Sequence, residues 1–139
     1  MTIKAATPYL ILSGKAAEAV EHYRTALGAQ VEMLQRFGEV HDSCPEAQRD
    51  LVMHAALRVG KAMLMLSDGP GDAPASPGGP VSVALDCDDA EEMRRSFDAL
   101  AAGGRVVVPV ADAPWGALFG VVHDRFGISW MFNCDKKPT

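Results

Sequence analysis

The first ordered pattern along the chain is the apolar run Tyr9, Leu10, Ile11 and Leu12, closed by Ser13 and Gly14, which reads as a short buried strand ending in a turn. The period then changes. Ala16, Ala19, Val20, Tyr23 and Leu27 recur at helical spacing, Glu18, Glu21, His22 and Arg24 fall on the rest of the wheel, and Gly28 stands where a left-handed cap would end a helix over 15–27. Residues 31–37 read as a strand, 38–50 as a polar stretch, and 53–59 and 62–67 as two more strands joined at Gly60 and Lys61. A βαβββ module is thus predicted over residues 5–67.

Residues 68–80 are too rich in glycine and proline for a regular element and read as a linker. Beyond them the pattern restarts, with a strand at 81–85, a helix at 89–102 and strands at 105–110, 118–123 and 128–134, giving a second module over 81–134. In its helix Met93, Phe97, Leu100 and Ala101 form the apolar stripe, Asp89 and Glu92 can form a capping box, and Gly103 with Gly104 marks the stop. Sliding the halves by 74 positions lays Pro8 on Ser82, Ile11 on Leu85, Ala19 on Met93 and Tyr23 on Phe97. Two copies at so long a period are an internal duplication, and each would expose one sheet face unless it paired with the other. The expectation is one α+β domain over residues 1–139, its two modules forming curved mixed sheets around a shared cleft.

Composition narrows the functional classes. With 139 residues, 48% of them hydrophobic and 22% charged, the chain has the make-up of an ordinary globular domain. A net charge of −5 has the wrong sign for neutralising a phosphate backbone, so nucleic acid is not expected as a partner. No apolar run approaches the roughly 20 residues that span a bilayer, and no leader is visible near Met1, so a cytoplasmic location is expected. Cys44, Cys87 and Cys134 are an odd number without motif spacing, which reads as free thiols in a reducing setting.

Several short motifs stand in order along the chain: Thr7-Pro8-Tyr9-Leu10, Glu21-His22-Tyr23-Arg24, Met53-His54-Ala55, Trp115-Gly116, Phe119-Gly120, and Asp124-Arg125-Phe126-Gly127 leading to Ser129-Trp130-Met131. In these the chain resembles the vicinal oxygen chelate superfamily of glyoxalases, extradiol dioxygenases and bleomycin resistance proteins, and within it the PhnB-like branch. The resemblance implies paired βαβββ modules and, in active members, a divalent metal held by His on the first strand, Glu on the fourth, His on the fifth and Glu on the eighth. Here those positions fall on Pro8, on Leu64 or Met65, on Ser82 and on Met131, and a shift of one residue offers Tyr9, Val83 and Trp130, no better as a set; none is a usual ligand for such a metal, so no metal and no cofactor is expected. The branch is often described as a ubiquinone-pathway methyltransferase, but a usual methyl-donor site needs a glycine-rich turn between a parallel strand and a helix, which the sequence lacks.

Strand alternation supplies candidate cleft residues. Met53, Ala55, Leu57 and Val59 should face the helices, leaving His54, Ala56 and Arg58 toward the cleft; Ser129, Met131 and Asn133 should face it from the last strand, with Trp130 and Phe132 packed inward. Trp115 would close one end as an aromatic lid. The candidate ligand-binding set is therefore His54, Arg58, Trp115, Ser129 and Met131, a mostly apolar lining with few polar anchors. His54 has an equally good reading as a histidine hydrogen-bonded within the sheet. His22 reads as solvated, His41, Asp42 and Cys44 as a polar loop short of a fourth zinc ligand, and His123-Asp124 as a turn. The first expectation is a homodimeric protein that binds a small apolar or aromatic molecule; the alternative is a metal-dependent isomerase, lyase or thiol transferase whose ligands lie elsewhere.

Overall fold

The computed structural model describes residues 2–40, 43–69 and 79–136. The chain divides into two compact units, residues 1–75 and 76–139, and each is considered by itself.

In the first unit, strand β1 (Tyr9–Ile11), helix α1 (Ala16–Leu27), β2 (Gln30–Arg36), a one-turn helix α2 (Phe37–Val40), a 3-10 turn (Glu46–Gln48), β3 (Val52–Val59) and β4 (Ala62–Ser67) follow in order. The strands form one mixed sheet in the order β1-β4-β3-β2, in which only β1 and β4 run parallel. Helix α1 packs on β2, β3 and β4 through Ala16, Ala19, Val20, Tyr23 and Ala26. Their mostly small side chains let the helix approach Leu57 and Leu66, which are fully buried, each such burial being worth roughly 1.5–3 kcal/mol. Gly28 caps α1 at φ 68°, a backbone conformation that a Cβ would strain, and donates its amide to the Tyr23 carbonyl. The other end of α1 has no side-chain cap of its own. Asp68 supplies one: it is 2% exposed, and its carboxylate accepts from the amide of Ala16 at 2.9 Å and from that of Val52 at 2.7 Å. The first residue of the expected linker is thus a tie between the helix start and β3.

The second unit repeats the order with β5 (Ser82–Cys87), α3 (Ala90–Ala101), β6 (Arg105–Ala113), β7 (Ala117–His123) and β8 (Ser129–Asp135). Its sheet order is β5-β8-β7-β6, with β5 and β8 parallel. Asp89 caps α3 by accepting from the Glu92 amide at 3.0 Å, while the Glu92 carboxylate turns to Arg95. Met93, Phe97 and Leu100 pack onto Val122, Trp130 and Phe132, where the rings of Phe97 and Phe132 meet edge to face at 5.5 Å. Gly120 permits this approach, because a Cβ there would lie 2.9 Å from both Phe97 and Val110 side-chain carbons. The turn before β8 is held by the buried Asp124, whose carboxylate accepts from the amides of Phe126 and Ile128 and from the Trp130 indole.

Both expected βαβββ modules are present, with three differences. The strand expected to run to Phe37 ends at Arg36, and Phe37 with the polar stretch 38–50 holds α2 and the 3-10 turn, both too short to carry a helical period. Strand β6 continues three residues past its expected end at 110 and through Pro109, which an edge strand tolerates because the missing amide has no ladder to complete; the register shifts between Val108 and Ala111 absorb it. The 74-residue slide holds for the helices but not for the first strands. Tyr9 and Ile11 lie on the face away from α1, opposite Met65 and Ser67, whereas Val83 and Leu85 pair with Trp130 and Phe132 on the helix side. Helix α1 starts six positions after the helix-side Leu10 and α3 five positions after the helix-side Leu85, and that odd difference reverses the face. Among the described residues no helix is long and apolar enough to cross a membrane.

Candidate functional site

Each sheet has one face covered by its helix and one face open. On the second sheet the register places Ser82 beside Ser129, Ala84 beside Met131 and Asp86 beside Asn133, and across β7 sets Val121 beside Met131 and Phe119 beside Asn133. Alternation sends Trp130 and Phe132 to the helix side, as expected, and Cys134 with them. Trp115 sits in the turn between β6 and β7, followed by Gly116 at φ 85°. Its ring meets Phe119 edge to face at 5.2 Å, and its indole N–H donates to the Asn133 side-chain oxygen at 2.9 Å. Trp115 remains 60% exposed, so the ring is fixed in place with one side toward solvent. The Ser82 and Ser129 hydroxyls share a hydrogen bond at 2.7 Å, with Ser129 itself only 5% exposed. Trp115, Ser129 and Met131 therefore share one open face, built from an aromatic corner, a thioether and a hydroxyl pair.

The other two expected residues lie on the open face of the first sheet. Arg58, opposite Met63, is engaged by Glu32 at 2.7 Å. His54, opposite Gln35, accepts or donates at Nδ1 with the Tyr9 hydroxyl at 2.8 Å. Tyr9 lies outside the expected ligand-binding set, and the sequence offers it only through the shifted register of the metal positions. The signal was available in its alternation with Leu10 and Leu12, which are buried, but an all-apolar run carries no polarity to mark which face is which.

The four positions at which the superfamily holds metal can now be placed. On β1 the open-face residue is Tyr9; Pro8 precedes the strand, its carbonyl bonded to the Met65 amide, and alternates onto the opposite side. This corrects the expected Pro8. On β4 the open-face residue is Met65, since Leu64 is buried and pairs with Leu57. Ser82 and Met131 lie on the open face of their sheet as expected. A phenol, two thioethers and an alcohol do not fit a hard or borderline divalent ion, which takes carboxylate, imidazole or thiolate donors. Among the described residues no group of three or more His, Cys, Asp or Glu is arranged to hold a metal.

The remaining chemical groups have structural roles. His22 is half-buried rather than solvated, with its ring 6.0 Å from that of Tyr23. His41 and Asp42 lie outside the described residues, and the Cys44 thiol donates to the Pro45 carbonyl. Asp124 serves the turn, as expected for His123-Asp124, and His123 faces Arg105 at 3.4 Å. Burial, with the neighbouring Cys134, pushes the Cys87 thiol above its ordinary value, which keeps it protonated and a poor nucleophile. A cavity of about 400 Å³ opens at the start of α3, lined by Asp88, Asp89, Glu91, Leu118, Cys134 and Lys136, and none of the expected site residues reaches it.

Comparison with known proteins places this architecture. The crystal structure of protein PA1353 from Pseudomonas aeruginosa is 38% identical and superposes with a TM-score of 0.85, covering 97% of this chain and 100% of that one. Protein YjdN of Escherichia coli is 33% identical over 144 residues, covering 96% of this chain and 97% of its own. The PhnB protein of Bacillus cereus shares the fold at 23% identity and a TM-score of 0.78, covering 94% and 99% of the two chains. Glyoxalase/bleomycin resistance/dioxygenase proteins from Nocardioides and Frankia share it at TM-scores of 0.59 and 0.67. The family model described as 3-demethylubiquinone-9 3-methyltransferase matches residues 4–132. With that match over nearly its whole length, on two βαβββ units of the glyoxalase/bleomycin resistance fold, the chain belongs to this PhnB-like family.

Proposed function

We propose that the chain binds a small apolar or aromatic molecule on the open faces of its sheets and does so without the superfamily's metal. The observation that carries this reading is the aromatic corner of the second sheet. Trp115 is pinned by Asn133 and braced by Phe119, yet leaves most of its ring to solvent. A rigid, exposed aromatic surface is a stacking platform whose ordering cost is already met in the folded protein. Met131 extends it with a polarisable, adaptable side chain, and the Ser82–Ser129 pair adds a polar point. His54 contributes a polar group on the first sheet. Arg58 acts as a rim charge, because its half-exposed pair with Glu32 is the weak kind that a ligand can rearrange.

Methyl transfer, which the family description names, finds no support in the geometry. Each sheet has one parallel pair and two antiparallel ones, and neither parallel pair leads into a helix through a glycine-rich cradle of the nucleotide-binding type. A metal-dependent isomerase, lyase or thiol transferase would need donors that Tyr9, Met65, Ser82 and Met131 do not supply. We further propose a cytoplasmic homodimer. The edge strand β6 exposes Val106, Val107 and Val108, a row that pairing between copies would cover.

The test is a thermal-shift screen of aromatic fragments on wild type, Trp115→Ala, Met131→Glu and His54→Ala. Fragments that stabilise wild type should lose most of their shift in Trp115→Ala and Met131→Glu, and His54→Ala should alter which fragments bind. A screen in which wild type and both second-sheet variants respond identically would remove Trp115 and Met131 from the site.

A further inference from the structure

Tyr9 and His54 sit on strands that are not neighbours, since β4 runs between β1 and β3. At about 4.8 Å per strand their backbones are separated by about 10 Å, so the Tyr9 side chain must cross β4 to place its hydroxyl 2.8 Å from His54 Nδ1. The residues beneath make room for this. Tyr9 faces Met65, Met65 faces the small Ala56, and His54 lies two residues further along β3. The ring centroids end 5.6 Å apart. A bond made only to hold the sheet would be expected in the interior, where the loss of water makes it valuable. Here Tyr9 is 46% exposed on an edge strand, and water could serve both groups, so the pair adds little to stability.

What the pair does have is a defined outward chemistry. Tyr9 Oη and His54 Nδ1 share one proton between them. With that proton on Oη, His54 Nε2 carries an N–H and offers a donor, while the phenol oxygen keeps a lone pair. With it on Nδ1, Nε2 offers the lone pair and the phenol O–H is free to donate. In both arrangements of the neutral pair one donor and one acceptor face outward side by side. Among the described residues Nδ1 is the His54 atom that has a partner. The surroundings carry no unbalanced charge: Ile11, Met33, Met65 and Ala56 share the face with the neutral amide of Gln35, which stands opposite His54, and Arg58 is neutralised by Glu32.

We infer that Tyr9 and His54 form a single anchor for a neutral aromatic ligand bearing one group that both gives and accepts a hydrogen bond, such as a phenolic hydroxyl or a primary carboxamide. A carboxylate only accepts and would leave the acceptor of the neutral pair unused; a hydrocarbon would use neither. This assignment rests on the small-molecule reading above and adds Tyr9 and the ligand's polar group to it.

The experiment uses the full chain labelled with ¹⁵N-histidine, with His54 identified by the signal missing from His54→Gln. Benzamide, phenol, toluene and benzoate are titrated into wild type and Tyr9→Phe. Benzamide and phenol should shift the His54 Nε2 resonance and bind about three- to tenfold more tightly than toluene, the range of one net hydrogen bond. Tyr9→Phe should abolish that preference and leave toluene affinity unchanged, which separates an anchor from a structural bond. Retention of the preference in Tyr9→Phe, or tighter binding of benzoate than of benzamide, overturns the assignment. Equal binding of toluene and benzamide defeats the anchor but leaves the small-molecule reading standing, whereas binding by none of the four defeats both.

Discussion

Replacing Asp124 by Asn alters one atom in the most heavily bonded buried carboxylate of the second unit. Oδ1 accepts from the Phe126 amide at 2.9 Å and the Ile128 amide at 3.0 Å, and Oδ2 from the Trp130 indole at 2.8 Å. If the Asn oxygen keeps the two amides, its NH₂ faces the indole N–H, donor against donor, in a site where Trp130 is fully buried. If the amide flips, the indole is satisfied and two backbone amides lose their acceptor, which is worse. The better rotamer loses one charge-assisted bond, about 1.5–3 kcal/mol, and weakens two others by removing the charge, for a total of about 2–4 kcal/mol. For a chain of this length that corresponds to a fall in Tm of about 6–15 °C. Urea denaturation followed by tryptophan fluorescence measures the free energy, and the indole N–H resonance of Trp130 reports the bond. A variant within about 0.5 kcal/mol of wild type, with the Trp130 resonance unmoved, would show that Asp124 does not organise this turn.

Gly120→Ala should cost about 1–3 kcal/mol, because its Cβ would press on Phe97 and Val110 between α3 and β6, and chemical denaturation reads it. Elemental analysis after dialysis without chelator should find well below one equivalent of zinc, nickel, manganese or iron per chain; a stoichiometric metal lost on mutating Tyr9, Met65, Ser82 or Met131 would reverse the reading of those positions. Light scattering coupled to size exclusion should give twice the chain mass at micromolar concentration, and a monomer would contradict the proposed pairing of copies.

The helices and the last strand were legible because polar residues mark their outer faces. Met93, Phe97 and Leu100 recur among Glu, Arg and Asp, and Trp130, Phe132 and Cys134 alternate with Ser, Met and Asn, so register followed from the pattern. The first strand has no such contrast. Thr7, Pro8, Tyr9, Leu10 and Ile11 can be read in either phase, and a correct helix alignment carries the wrong phase back to the strand, because the spacing from helix-side strand residue to helix start is odd in one unit and even in the other. That single step leaves Tyr9 out of the expected binding set, and with it the partner of His54. Asp68 was obscured differently: it begins a stretch whose composition says linker, and its role depends on contacts with Ala16 and Val52, 52 and 16 residues away in sequence. Local pattern has no access to such contacts.

The central claim, that the open sheet faces take a small aromatic ligand, is tested most directly by methyl-¹³C methionine spectra during titration with toluene and benzamide. Met131 lies on the open face of the second sheet and Met33, Met63 and Met65 on that of the first, while Met93 of α3 is buried between the helix and its sheet and serves as the internal control. Saturable shifts at the open-face methionines, with Met93 unmoved, are the predicted result. Shifts absent at every methionine up to the solubility of the probes, or largest at Met93, would contradict it.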